Sequence, residues 1–227
     1  MGMIKVNIID FFVTFYHFYS MPLPSRARPL GRRFFNRPTI ELAKALLGKR
    51  LAVGGLCGKI VETEAYLFKD DPGCHAARGP TPRNAPMFGR AGRTYVYLIY
   101  GMYHCLNIVS GKEGEGEAVL IRALEPLEGI ELMQKRRKTQ KIENLCNGPG
   151  KLTQAFGITK KQNDMSLIDR GDDDLRVLDG EKIQETEIVT ATRIGLAKGQ
   201  GDDLMLRFYI NGNRFVSKPL KPCKTTR

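Results

Sequence analysis

The sequence predicts one α+β domain, and three observations carry that expectation. Runs of β-branched and aromatic residues alternate with segments that carry helix start and stop signals. No repeat recurs along the chain, and no linker cuts it into two cores. The 227 residues suffice for one well-buried interior without requiring a second.

The elements follow in order. Pro22 to Arg33 is Pro- and Arg-rich and irregular. Asn36-Arg37-Pro38 then opens a helix through Leu47, with Pro near its first turn and Gly48 just past its end. Lys49–Val53 and Lys59–Tyr66 read as two strands joined by a glycine-containing turn, and Asp70–Arg93 as a long loop. Thr94–Tyr100 is strongly β-prone, and His104–Ser110 follows as another strand. After the turn Gly111–Glu117, Ala118–Leu124 has the content of a buried strand and Pro126–Lys138 reads as a helix. A shorter helix begins around Gly148-Pro149-Gly150-Lys151, and Asp164–Asp174 is an acidic, solvated loop. Ile188–Leu196 and Leu204–Ile210 are late strands, and Asn211-Gly212-Asn213 turns the chain into a hairpin with Arg214–Ser217. Met3–Leu23 is apolar, but Lys5, Asn7, Asp10 and His17 interrupt it, so it is a poor membrane span. It lacks a clear small-residue cleavage site for a signal peptide. An extra N-terminal helix and an upstream start to a protein beginning near Met21 both fit it.

The composition, 42% hydrophobic and 26% charged, is that of an ordinary globular protein. The charge balance is less ordinary: 36 Lys and Arg stand against 24 Asp and Glu, a net +12. A polyanion such as nucleic acid fits this excess, and so does a merely solubilising charge. The five cysteines, Cys57, Cys74, Cys105, Cys146 and Cys223, form no C-x-x-C pair and are odd in number. They point to a reducing compartment rather than a disulfide framework. His17, His75 and His104 show no metal-ligand spacing with them, so no metal site is expected.

Four segments carry candidate chemistry. In Ile60–Tyr66, period-two alternation puts Glu62, Glu64 and Tyr66 on one face and Val61, Thr63 and Ala65 on the other. That face is either a solvated strand face or a carboxylate and a ring projecting into a pocket. Arg122 interrupts the apolar run Ala118–Leu124, and a buried guanidinium needs a carboxylate, water or a polar site. Thr94–Tyr103 carries four tyrosines in ten residues, as core, as rim or as stacking surfaces for bases. Gly101 just after Tyr100 points to a turn exposing that ring at a strand end. Gly148–Thr153 resembles a phosphate loop but lacks its Ser/Thr and its first Gly. It retains the means to offer backbone N–H groups and Lys151 to one phosphate.

These residues also resemble a known family. Arg33-Phe34-Phe35, Val61–Tyr66, His75, Thr81-Pro82-Arg83-Asn84, Met87-Phe88, Tyr95–Tyr103, Asn107, Leu120–Pro126, Gly148-Pro149 with Lys151-Leu152, and Leu206–Tyr209 stand in the order of the alkyladenine (3-methyladenine) DNA glycosylase family. The resemblance extends from Pro29 to Ser217. It departs at Phe68-Lys69, where many members have Gly-Pro. It implies a single mixed α/β domain over 29–217 with a curved, largely antiparallel sheet flanked by helices. An extension over 1–28 and a basic tail over 218–227 would flank it. No metal or organic cofactor is implied.

The implied partner is double-stranded DNA containing damaged purines: 3-methyladenine, 7-methylguanine, hypoxanthine and ethenoadenine. The protein would work in base excision repair as a monomer with no obligate protein partner and no membrane, in the bacterial cytoplasm or a nucleus. By the same resemblance Glu64 is the general base and Arg122 positions the attacking water. Tyr66, His75 and Tyr97 wall the base pocket, Asn107 gates it near the purine's position 2, and Tyr100 is the wedge left in the duplex. Arg83, Met87, Met102, Tyr103 and Lys151 contact DNA. No lysine or N-terminal amine holds the nucleophile position, so the enzyme would be monofunctional. A non-catalytic nucleic-acid-binding module or an RNA-modifying enzyme on the same fold are the other open readings.

Overall fold

The computed structural model describes residues 28–168 and 175–220. The readings made for Met3–Leu23, for residues 169–174 and for Cys223 lie outside them.

One curled antiparallel sheet of eight strands organises the chain, as the resemblance implied. After the short helix α1 (Arg32–Phe35) comes α2 (Thr39–Leu46), which starts behind Pro38 and stops before Gly48. The strands are β1 (Arg50–Val53), β2 (Leu56–Tyr66), β3 (Thr94–Ile99), β4 (Tyr103–Val109) and β5 (Ala118–Glu128). Helices α3 (Ile130–Arg137) and α4 (Pro149–Phe156) follow, then β6 (Arg176–Leu178), β7 (Ile188–Ala191) and β8 (Arg207–Ile210). The order is β3-β4-β5-β2-β1-β6, with β8 beside the far half of β2 and β7 beside β8. The long strand β2 therefore has β5 along one edge and two short strands sharing the other.

One face of this sheet is dry. Leu42, Ala43 and Leu46 of α2, Met133 of α3, and Leu152, Ala155 and Phe156 of α4 pack there on Ile60, Ala65, Leu106, Ile121 and Leu124. The opposite face carries two smaller clusters: Val61, Ala123 and Tyr209 at one end, and Ala76, Met87, Tyr95, Val109 and Ala118 at the other. Burial is the dominant favourable term in such an interior, and here it leaves one sheet face free for polar side chains.

Three expectations are corrected. The helix expected from Pro126 starts at Ile130, because β5 continues through Pro126 to Glu128. Pro126 lies opposite Gly58, where the ladder shifts register and a missing N–H is tolerated. The strand expected over Ile188–Leu196 ends at Ala191, since the following residues turn to serve buried carboxylates. Arg214–Ser217 forms no hairpin strand: turns hold Asn213 and Val216, and the Ser217 N–H goes to a side chain. The three-residue strand β6, paired with β1, carries no alternation long enough to be visible in the sequence.

Candidate active site

The site begins with two irregularities in the β2–β5 ladder. Ile60 pairs with Leu124, Glu62 with Ala123 and Thr63 with Ile121. Val61 is thus an extra residue on β2 and Arg122 an extra residue on β5. The two bulges cancel in register but turn Val61 and Arg122 toward the face that holds Glu62 and Ala123. Thr63 stays on the helical face, its hydroxyl donating to the Ala43 carbonyl at 2.9 Å. Strict alternation misplaces Val61, which packs with Ala123 and Tyr209.

The result is a buried charge network. Arg122 Nη1 lies 3.3 Å from Glu64 Oε1, and its Nε lies 3.5 Å from Glu62 Oε1. That Nε also donates to Ser217 Oγ at 3.2 Å. Glu62 accepts from Arg207 Nη1 and from the Ser217 N–H, each at 2.8 Å. Glu64 accepts from the Tyr66 hydroxyl at 3.0 Å and from the Ile194 N–H at 2.9 Å. Both carboxylates are fully buried. Burial pushes the Glu64 carboxyl above its ordinary value, with Arg122, the Ile194 N–H and Tyr66 pulling the other way. A carboxylate so placed is poised to exchange a proton nearer neutrality than a free one.

A second buried pair closes the far end. Arg193 clamps Asp71 with both Nη atoms, at 2.7 and 2.5 Å, and donates to the Ala65 and Gly201 carbonyls. Its guanidinium lies 4.5 Å over the Tyr66 ring, a cation–π contact that fixes the ring's tilt.

Aromatic rings line the cleft above this floor. Tyr66, Gly73, His75, Met87, Tyr95, Tyr97 and Asn107 surround one cavity. The His75 ring stands 4.6 Å from Tyr97 and its Nδ1 3.0 Å from the Tyr95 hydroxyl. Desolvation, then the Arg83 charge, holds the imidazole below its ordinary value, so the ring is neutral at neutral pH. Asn107 donates to the Tyr95 carbonyl at 3.0 Å, which meets the demand that a buried amide find a partner. Asn84 anchors the loop that delivers His75, donating to the His75 and Gly79 carbonyls.

Beside the cleft, the β3–β4 hairpin ends in an exposed tip. Tyr100 and Gly101 both have positive φ, 53° and 69°. That conformation suits the twist of a tight hairpin but is costly for a bulky residue. Tyr100 is 78% exposed, and Leu98, Met102 and Tyr103 are exposed around it. The hairpin leans on α4: a Cβ at Gly150 would meet the Tyr103 Cβ at 3.0 Å, so any larger residue there would push the hairpin by a few tenths of an ångström. Lys151, in the first turn of α4, donates to Asn147 Oδ1.

The structure thus brings Tyr66, His75, Tyr97 and Asn107 to one cavity, with Glu64 buried behind the Tyr66 hydroxyl, Arg122 paired to Glu64, and Tyr100, Met102 and Tyr103 on the exposed hairpin tip. Arg83 is exposed and spans the two, 5.2 Å over the Tyr97 ring and donating to the Leu98 carbonyl. Met87, expected on the DNA-contacting surface, is 2% exposed and belongs to the cavity wall instead. Tyr95, Asp71, Arg193, Glu62, Arg207 and Ser217 had no assigned role. Arg193 and Arg207 carry the signal that exposed Arg122: an arginine interrupting an apolar run. Among the described residues, no cluster of His, Cys, Asp and Glu is arranged to hold a metal ion, and no helix is long and apolar enough to cross a membrane.

The profile of the methylpurine-DNA glycosylase family matches residues 33–214. The chain is similar to a protein of Prosthecochloris aestuarii named "Putative 3-methyladenine DNA glycosylase", at 51% identity over 86% of this chain and 95% of that one. Proteins of the same name from Methanoculleus marisnigri and Francisella tularensis are 49% and 48% identical, over 83% and 79% of this chain and 98% and 94% of theirs.

Proposed function

The chain belongs to the methylpurine-DNA glycosylase family, and on that premise we propose that it is a monofunctional enzyme removing alkylated and deaminated purines. It is a DNA glycosylase, a hydrolase of N-glycosyl bonds. Its substrates on this reading are 3-methyladenine, 7-methylguanine, hypoxanthine and ethenoadenine in duplex DNA. The observation that carries the reading is a buried carboxylate, Glu64, hydrogen-bonded to the hydroxyl of Tyr66, a ring that lines an aromatic cavity.

The geometry supports a sequence of steps. A base inside the stack is out of reach, so it must first turn outward, at a cost of about a few kcal/mol. Tyr100, already held in solvent, fills the gap and offsets part of that cost by stacking. Met102 and Tyr103 flank it, and Arg83 and Lys151 supply positive charge for phosphates on this reading. The flipped purine enters among Tyr66, His75 and Tyr97. A purine methylated at N3 or N7 carries positive charge while attached to its sugar, and each ring attracts it by about 0.5–2 kcal/mol. Glu64 takes a proton from a water held by Arg122 as the oxygen bonds to C1′. The C1′–N bond breaks in the same step, its electron pair passing to the departing base; until the proton has moved, the ionised Glu64 carboxylate stabilises the positive charge building on the sugar, and a base that leaves as an anion then takes that proton up. The product is an abasic site with the strand intact.

The test is a hypoxanthine-containing duplex incubated with the protein and then treated with alkali. Cleavage that appears only after alkali supports a monofunctional glycosylase. Cleavage without alkali, or none at all on any of the four lesions, defeats the reading.

A further inference from the structure

The mechanism uses Glu64 and Arg122 and leaves two groups of the same network unused. Glu62 is as buried as Glu64, and Ser217 reaches it from the far end of the chain. Both act on the Nε edge of Arg122, one through a carboxylate at 3.5 Å and one through a hydroxyl at 3.2 Å. Glu64 acts on Nη1, at 3.3 Å. Arg122 therefore hangs between two carboxylates, and its place between them decides how much positive charge the base receives.

We propose that Glu62 and Ser217 are positioning residues that draw the Arg122 guanidinium away from Glu64 and so keep Glu64 basic enough to activate water. The inference rests on the reading of Glu64 as the general base. A carboxylate bound tightly to an arginine is a poor proton acceptor, since the opposite charge favours its ionised form. An uncompensated buried Arg122 would give its charge and both of its N–H edges to Glu64. Glu62 competes for it, and Arg207 in turn holds Glu62 in place, at 2.8 Å. Ser217 fixes the geometry twice, its backbone N–H on Glu62 and its hydroxyl on Arg122. The other groups facing Glu64 are Tyr66 on its own strand, Cys105 on β4, and Arg193 with the Ile194 N–H on the loop after β7. None of these touches the Nε edge of Arg122.

The experiment is the pH dependence of single-turnover excision for the wild type, Glu62→Gln and Ser217→Ala, with Glu64→Gln as reference. Loss of the Glu62 charge lets Arg122 settle on Glu64, so the acidic limb should move down by about one pH unit. The plateau should fall by about three- to tenfold, because a weaker base drives the step less. Ser217→Ala keeps every charge and removes one hydroxyl, so it should move the limb the same way by less. It also serves if Glu62→Gln does not fold with Arg207 left unpaired. An acidic limb unmoved in the folded variants overturns the inference. Activity surviving in Glu64→Gln would instead defeat the reading of Glu64 itself, which separates the two failures.

Discussion

At the centre of the sheet, Glu62, Glu64, Arg122 and Arg207 are closed off from solvent with each carboxylate held by two or more donors. At the hairpin tip, Leu98, Tyr100, Met102 and Tyr103 are apolar or aromatic, exposed, and carried by a turn that strains Tyr100. Each region inverts the usual rule for its location. Buried charge is tolerated because it is paired and hydrogen-bonded, and it yields a preorganised floor that need not move during reaction. The tip is complete only when another surface covers it, and it belongs to binding rather than to stability. Changes at the centre should therefore cost folding or chemistry, and changes at the tip should cost recognition alone.

The sharpest way to break that contrast is Arg193→Met, which leaves Asp71 buried without its cation. We expect about 3–5 kcal/mol of lost stability, measured by denaturant unfolding; a change below about 1 kcal/mol would mean the clamp is not structural. Next in size is Glu64→Gln, which keeps shape and loses the proton acceptor. Excision should fall by at least about 10²-fold with lesion binding largely kept. Near-normal single-turnover rates would remove Glu64 from the base role.

Tyr100→Gly tests the other region. Lesion-specific binding should weaken by about 1–3 kcal/mol through lost stacking, while salt-dependent binding to undamaged DNA barely changes. Because glycine accepts the positive φ, stability should rise by about 1 kcal/mol. A variant that lost stability would show the ring to be part of the core. The smallest effect is expected at Asn107, between the two regions. Asn107→Ser removes bulk from the cavity wall and should raise excision of guanine-type bases relative to hypoxanthine by up to about tenfold. Unchanged ratios in a normally melting variant would sink the gate.

The long strands of the sheet were legible because they are β-prone over six or more residues, as in Thr94–Ile99 and Ala118–Leu124. Arg122 was legible because one charge in an apolar run demands an explanation. Its orientation was not, since the bulges at Val61 and Arg122 obey pairing across strands rather than any local pattern. Met87 was misplaced for a similar reason: an apolar residue in a long loop gives no sign of folding inward. Ser217 escaped notice because its contribution is partly a backbone N–H, which every residue but proline carries. Arg193 and Arg207 carry the same signal as Arg122, a charge set within an apolar run.

The charge network also dictates when during synthesis this protein can first act. Its members come from β2, β5, β8 and Ser217, and the bond from Ser217 to Glu62 spans 155 positions of the chain. A nascent chain bearing Glu64 and Arg122 but not yet Arg207 would hold Glu62 with neither its cation nor its final N–H donor. Contacts so distant in sequence also form slowly. Full hydrolytic competence should thus arrive late, after residue 217 has cleared the ribosome.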